Sequence, residues 1–271
     1  MAKRRLDALL AERGLFSSRS RAAASVMAGE VRVGAGDRRA EKPGELVDDA
    51  EQLRVEQGSD YVSRGGIKLA NVLAATGLEV AGRRALDVGA STGGFTDCLL
   101  QHGAAAVIAV DVGYGEFSWS LRNDERVSVL ERTNARSLEP AMLPYEPDLA
   151  VIDVSFISLE KVLSAVLGCL SDGWDVLALI KPQFEVGRER VGKGGVVRDA
   201  DARRDALIAV GRAALALDAG VVSYSSSGLP GPKGNQETFI WLADPSVGRP
   251  GLLVGRGAEG ELQCRAREVE P

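Results

Sequence analysis

Four residues far apart in the chain are of types that can act together: Lys68 in SRGGIKL, Asp153 in VIDVSF, Lys181 in LALIKPQFE and Glu237 in GNQETFIW. A lysine that is buried, or crowded by a second cation, loses its proton more readily, and the free amine can accept one. Hydroxyl groups are poor nucleophiles at neutral pH. Transfer to one gains from a base aligned with the incoming electrophile. On this chemistry Lys181 is the candidate base and Lys68 the second cation, lowering its pKa and placing the substrate. Asp153 and Glu237 are the carboxylates that orient the amines and stop them repelling one another. Each residue alone has a plain structural explanation: Lys68 on a surface, Asp153 as a helix cap, Glu237 as an edge-strand charge. Four such explanations coinciding beside one ligand-binding loop is much harder to accept.

That loop lies in RRALDVGASTGGFTDCLLQHGAAAVIAVDVG. Residues 85–88 read as a buried strand, 89–94 as a turn, 95–101 as a helix, and 106–110 as a second strand ending at Asp111. A glycine-rich turn between strand and helix lets the backbone approach a ligand, and an acid ending the next strand can bind a ribose hydroxyl. A dinucleotide fingerprint would read G-x-G-x-x-G, whereas here Ser91 takes the second glycine's place and Asp87 precedes Gly89 by two residues. An anion there is awkward beside a pyrophosphate and useful beside a cation. S-adenosylmethionine carries an ammonium and a sulfonium and no phosphate. D-x-G-x-S-x-G-G followed by Asp111 therefore fits a methyltransferase better than a dehydrogenase.

The elements that must position these residues are legible too. Further strands are expected over 127–130, 149–154, 176–180, 220–225 and 237–242, with helices over 158–170 and 200–217. Together they predict a Rossmann-like α/β domain with a seven-stranded, mostly parallel sheet. Of 271 residues, 45% are apolar and 26% charged, enough for a core in a soluble protein. No apolar run approaches the roughly 18–20 residues of a membrane span, and the charged N-terminus is unlike a signal peptide. A cytoplasmic protein is expected. Cys98, Cys169 and Cys264 have no paired spacing, so neither a disulfide framework nor a metal site is expected. His102, the only histidine, falls at a helix end, which disfavours a Ser-His-Asp triad.

The net charge of −5 is uneven. Residues 1–42 hold ten Lys and Arg against five acids, making that stretch +5 and the remainder −10. A basic head on an acidic body suggests that the head meets a polyanion. Two amphipathic helices are expected within 5–29, with Leu6, Leu9 and Leu10 on one face, Ala22 and Val26 inward on the second, and Ser17 or Ser18 as its cap. EVRVGAGDRR then reads as a strand entering a hairpin. The boundaries expected are a head over 1–57, a linker over 58–63, a catalytic domain over 64–244 and a loosely ordered tail over 245–271.

The pattern Arg-Leu-Asp-x-Leu-Leu, Ser-Arg, Gly-x-Val-x-Val and Lys-Pro-Gly resembles the RNA-binding domain first described in the fourth small-subunit ribosomal protein. That resemblance implies contact with folded RNA through Lys3, Arg5, Arg19, Arg21 and Lys42, reading shape and phosphates more than base edges. In the body, the fourth strand is followed by DVSF, without the Asx-Pro-Pro-aromatic turn of amino-group methyltransferases. There is also no Pro-Cys of the kind pyrimidine-carbon methylation uses. A ribose 2′-hydroxyl remains as the acceptor. Lys68, Asp153, Lys181 and Glu237 resemble the Lys-Asp-Lys-Glu tetrad of FtsJ-type ribose methyltransferases.

Head and body together resemble the TlyA group of rRNA cytidine 2′-O-methyltransferases, some historically labelled haemolysins, from Leu6 to about Leu242. The shared stretches include GASTGGFT, DVGYGEFSWSLRND, LERTNAR, SFISL, KPQFEVG and LPGPKGN. The resemblance implies ribosomal RNA or a ribosomal subunit as partner and S-adenosylmethionine held by Asp87, Gly89, Ser91, Gly93, Asp111 and Asn134. Because longer members modify both 16S and 23S rRNA, dual activity is expected. The linker SDYV departs from relatives that carry a basic, Trp-containing tetrapeptide there. The glycine-rich, basic loop PQFEVGRERVGKGGVV either closes over RNA or is an ordinary mobile loop. A non-catalytic RNA-binding or assembly factor would lack a tetrad member or block the loop. A pore-forming haemolysin would need an apolar or lytic segment. The sequence shows neither.

Overall fold

The computed structural model describes residues 3–16, 18–55, 61–231 and 233–270, and the chain divides into two compact units, Met1–Ser63 and Arg64–Pro271. The first contains β1 (Lys3–Arg5), α1 (Leu6–Glu12), α2 (Arg19–Ala28), β2 (Val31–Val33), β3 (Arg38–Arg39), β4 (Leu46–Asp48) and β5 (Leu53–Val55). β1 pairs with β4, and β2 lies between β3 and β5, all antiparallel. The i, i+3, i+4 spacing of Leu6, Leu9 and Leu10 turns all three to one side of α1. They are buried there with Ala22, Val26, Val31, Val33 and Val47. The Ser18 hydroxyl caps α2 by accepting the Arg21 N–H at 3.2 Å, and Gly29 ends that helix at φ 78°. Of the expected linker, residues 58–60 lie outside the described residues, and 61–63 form bends leading into the second unit.

The second unit runs α3 (Arg64–Thr76), β6 (Arg84–Val88), α4 (Gly94–Gln101), β7 (Ala106–Val110), α5 (Trp119–Arg122), β8 (Val127–Leu130), β9 (Leu149–Ile152), α6 (Glu160–Leu167), β10 (Asp175–Ile180), α7 (Pro182–Glu185), α8 (Ala200–Ala216), β11 (Gly220–Ser226), β12 (Thr238–Ala243) and α9 (Glu259–Val269). Seven strands form one sheet in the order β11-β12-β10-β9-β6-β7-β8. β12 alone runs antiparallel to its neighbours. The inner strands are buried on both faces, which is why they read as apolar runs without alternation. Leu86, Ile108, Ile152 and Ala178 pack with Val162 of α6, Val210 of α8 and Leu262 of α9. On the opposite face the rings of Phe95 in α4 and Phe239 in β12 lie 5.8 Å apart. From β6 the chain adds strands first toward β8 and then, through β9, toward the other edge. The gap between β6 and β9 is thus the switch point where such sheets hold ligands.

The tail corrects the expectation of a loose segment. Leu253 bridges Val221, and α9 carries Leu262 and Ala266 fully buried against the sheet layer. Glu270 is 6% exposed and pairs with Arg203 at 2.9 Å. Gly211 of α8 makes the room: a Cβ there would stand 2.6 Å from Leu262 Cδ1.

Candidate active site

Sheet register brings the expected site residues together. Ile180 faces Thr238, Ala178 faces Ile152, and Ile152 also faces Val88. Gly89, Asp153 and Lys181 therefore leave the ends of three parallel strands side by side. Because β12 is antiparallel, Glu237 enters on the same rim, one step beyond the Ile180–Thr238 pair and next to Lys181.

Lys181 Nζ lies 2.5 Å from Asp153 Oδ1 and donates to Ser155 Oγ at 2.9 Å. Its side chain is 12% exposed. Pro182 opens α7 directly after it, which fixes the backbone at Lys181 in an extended conformation. Lys68 reaches the rim from α3. Its ammonium pairs with Glu237 Oε2, and both side chains are buried. Arg64, Lys68 and Asn71 are spaced to share one stripe of α3. Arg64 donates to the Pro230 carbonyl at 3.0 Å and Asn71 to the Ser227 carbonyl at 3.0 Å, so the stripe grips the segment between β11 and β12. Removing one partner of a buried ion pair strands the other, which costs about 3–5 kcal/mol. Lys68→Ala is expected to lose about that much stability as well as activity, and Glu237→Gln clearly less of the stability; chemical denaturation of the two variants measures it.

The loop after β6 is held in an unusual backbone. Gly89 sits at φ 87°, and a Cβ there would stand 2.5 Å from the Asp153 carbonyl oxygen. Both the angle and the space demand glycine. Gly93 sits at φ 95° with Leu121 against it, and Ser91 adopts φ 47°. Asp111 ties this loop to the next: Oδ2 accepts the Ser91 N–H at 2.7 Å and Oδ1 the Gly113 N–H at 2.6 Å. Beside it opens a cleft lined by Ala90, Ser91, Asp111, Tyr114, Phe117, Val129 and Glu131, among others.

Asp87 lies within β6, fully buried. Oδ2 accepts the Thr96 hydroxyl at 2.6 Å, and Oδ1 has no hydrogen-bond partner among the described residues. Burial, reinforced by the charges of Asp153 and Asp111, pushes its pKa up to about 7 against the pull of Thr96. The folded state then holds this proton more tightly than the unfolded chain. The stability it confers is complete below the unfolded carboxylate range and is lost as pH rises toward 7, by an amount on the order of 4 kcal/mol. Asp87→Asn is expected to flatten that decline, and thermal unfolding from pH 4 to pH 8 tests it.

Asn134 is not among the residues lining this cleft. Its side chain accepts the Arg136 N–H at 3.0 Å and caps the turn Ala135–Ser137. Glu131, which the sequence reading overlooked, does line it, accepting from the Gly115 N–H at 2.8 Å and from Arg122 at 2.6 Å. Ser155 was overlooked as well. Asn235 also went unnoticed: it is 2% exposed, donates to the Gly195 carbonyl at 2.8 Å and accepts the Val197 N–H at 2.9 Å. It thereby clasps the basic loop that follows Lys181. In the first unit Lys3, Arg5, Arg19, Arg21 and Lys42 are all exposed.

A seven-stranded sheet of this order, with its glycine-rich loop at the switch point and charged residues on the adjoining rim, defines a methyltransferase of the Rossmann-like class. The chain belongs to the FtsJ-like methyltransferase family, whose model matches residues 61–244, and residues 4–53 match the S4 domain. The Mycobacterium tuberculosis 16S/23S rRNA (cytidine-2'-O)-methyltransferase TlyA is 52% identical over 245 residues, covering 89% of this chain and 91% of that protein. Hemolysin A of Brachyspira hyodysenteriae is 39% identical over 236 residues, covering 86% of this chain and 97% of that protein. A solved Streptococcus thermophilus structure that also carries a hemolysin name matches with a TM-score of 0.72 and 40% identity, across 99% of this chain and 97% of that one. Among the described residues no helix is long and apolar enough to cross a membrane.

Proposed function

We propose that this chain methylates the ribose 2′-oxygen of cytidine in cytoplasmic ribosomal RNA, of both subunits, using S-adenosylmethionine and Lys181 as general base. The observation that carries the reading is the meeting of Lys68, Asp153, Lys181 and Glu237 on the rim beside the Gly89 loop. The cleft suits the donor: among the described residues its lining includes Asp111, Glu116 and Glu131 and no lysine or arginine. Such a lining repels a pyrophosphate and accepts a nucleoside joined to a cation. Asp111 and Glu131 would face the ribose and base, the Gly89–Gly93 loop the rest of the molecule, and the unpartnered Asp87 oxygen favours positive charge nearby. When bound, the donor supplies an electrophilic methyl group on a positively charged sulfur.

The protein's own residues do the rest. Lys181, as the free amine, takes the 2′-hydroxyl proton as the oxygen attacks, and Asp153 stabilises the ammonium that results. Ser155 fixes the amine's direction. Lys68, held by Glu237, brings a second positive charge to the same rim and helps place the substrate. Phe156 stands 91% exposed at φ 65°, its ring 5.2 Å from that of Phe184. An exposed ring held at the cost of backbone strain offers a stacking face to an unpaired base.

The test is methyl transfer from radiolabelled S-adenosylmethionine to isolated ribosomal subunits by the purified chain. Label is expected in the RNA of both subunits. Label in one alone would end the dual-target reading, and label in neither would end the RNA reading.

A further inference from the structure

Asp7 is 4% exposed in α1, and acids are seldom so buried without partners. Its partners are the two arginines of the first unit on which the RNA reading leans most. Oδ1 accepts from the Ala8 N–H at 2.8 Å and from Arg5 Nε at 3.2 Å, while Oδ2 accepts from Arg5 Nη2 at 2.9 Å. Arg19 Nε, arriving from α2, stands 3.2 Å from the same Oδ2. One carboxylate therefore holds two guanidiniums that would otherwise repel each other. Both keep about half of their side-chain surface exposed, 49% for Arg5 and 56% for Arg19. The Arg5 guanidinium holds the Asp7 carboxyl below the usual carboxylate range, with Arg19 and the Ala8 N–H adding to the effect.

A second observation fixes Arg5 from below. Gly44 has no left-handed backbone to explain it. A Cβ there would lie 2.9 Å from Arg5 Nη1, 3.0 Å from Nη2 and 3.2 Å from Cζ. The guanidinium rests flat on the glycine, and because Asp7 grips its Nε and Nη2 it cannot swing away without breaking that pair.

We propose that Asp7 is a positioning residue that holds Arg5 and Arg19 as a preformed fork for a phosphodiester of the RNA backbone, with Gly44 as the floor beneath Arg5. The inference rests on the reading of the first unit as RNA-binding. Arginine recognises phosphate through paired, directional N–H donors. A side chain ordered before contact loses less freedom on binding. Charge alone points the other way, since an acid under the binding face weakens attraction for a polyanion. The two accounts therefore differ in sign. If charge ruled, Asp7→Asn would bind RNA more tightly; if position rules, it binds more weakly despite the gain in positive charge.

The experiment measures affinity of the full chain for purified ribosomal RNA across a salt series, together with KM and kcat for methyl transfer. Asp7→Asn is expected to weaken affinity about five- to tenfold, with the loss falling on KM for RNA rather than on kcat. Gly44→Ala, which changes no charge, and Arg5→Lys, which keeps the charge and loses the fork, are expected to shift affinity the same way by about three- to fivefold. Unchanged or tighter binding by Asp7→Asn would overturn the proposal. Should that variant fail to fold, wild-type affinity in both Gly44→Ala and Arg5→Lys would overturn it instead. The double variant Arg5→Glu, Arg19→Glu separates the layers: unchanged affinity there would overturn the RNA reading itself. Weakened affinity there with wild-type Asp7→Asn removes the fork alone.

Discussion

Lys181→Ala is expected to lower kcat for methyl transfer by about 10²–10⁴-fold, the range a positioned general base supplies, while the affinity for S-adenosylmethionine stays within about twofold. The geometry separates the two effects. Lys181 faces Asp153 and Ser155 at the end of β10, whereas the cleft proposed for the donor is lined from β6, β7 and β8 and the loops that follow them. Lys181→Arg sharpens the test. Arginine keeps the positive charge and can pair with Asp153, yet it does not deprotonate in proteins. If the side chain served only to place positive charge, Lys181→Arg would retain much of the activity. If it serves as the base, both variants are equally inactive.

Reversing Arg5 and Arg19 to Glu is expected to weaken binding to ribosomal RNA about 10²-fold near physiological salt. Its salt dependence should flatten as well. Each phosphate that the protein no longer neutralises removes about 0.7–0.9 from the slope of log affinity against log salt, so two such phosphates take off about 1.5–2. The reversal also removes both arginine partners of Asp7 and sets new carboxylates beside it. Some loss of stability in the first unit follows, and Arg5→Gln with Arg19→Gln is the control, moving affinity the same way by a smaller factor. Binding that keeps its wild-type strength and slope would locate the RNA anchor elsewhere in the chain.

Much of the site was legible because its chemistry is carried by residue type at strand ends. A strand buried on both faces is a short apolar run, so the first charged residue after it marks the rim; Lys181 stands there, whereas Asp153 falls within the strand expected over 149–154, which ends at Ile152. Glu237 needed one more fact, the antiparallel direction of β12, which sequence periodicity does not encode. Ser17 and Ser18 are equivalent on paper as caps; Ser17 lies outside the described residues, and Ser18 accepts the Arg21 N–H. The residues overlooked owe their roles to loops that return from a distance. Glu131 faces the cleft because the segment after β8 folds back on Gly115 and Arg122. Asn134 also caps the backbone of its own turn, as asparagine often does, a local role its position alone does not announce. The tail looked loose because it has few large apolar residues. Leu262, Ala266 and Glu270 nevertheless recur at helical spacing, and the missing Cβ of Gly211, about fifty residues earlier, is what lets that stripe seat.

The central claim is that two amines and two carboxylates from four separate elements serve a single ribose oxygen. It is tested most directly by the chemistry of the product. Ribosomal RNA labelled by the purified chain from S-adenosylmethionine carrying a radioactive methyl group is hydrolysed with alkali. Alkaline cleavage needs a free 2′-hydroxyl, so a methylated ribose shields its own 3′-phosphodiester and leaves a dinucleotide. Label is predicted in alkali-resistant dinucleotides with cytidine on the 5′ side. Label recovered in mononucleotides would mean that the methyl group sits on a base, and the assignment of Lys181 as base for a ribose hydroxyl would fall with it.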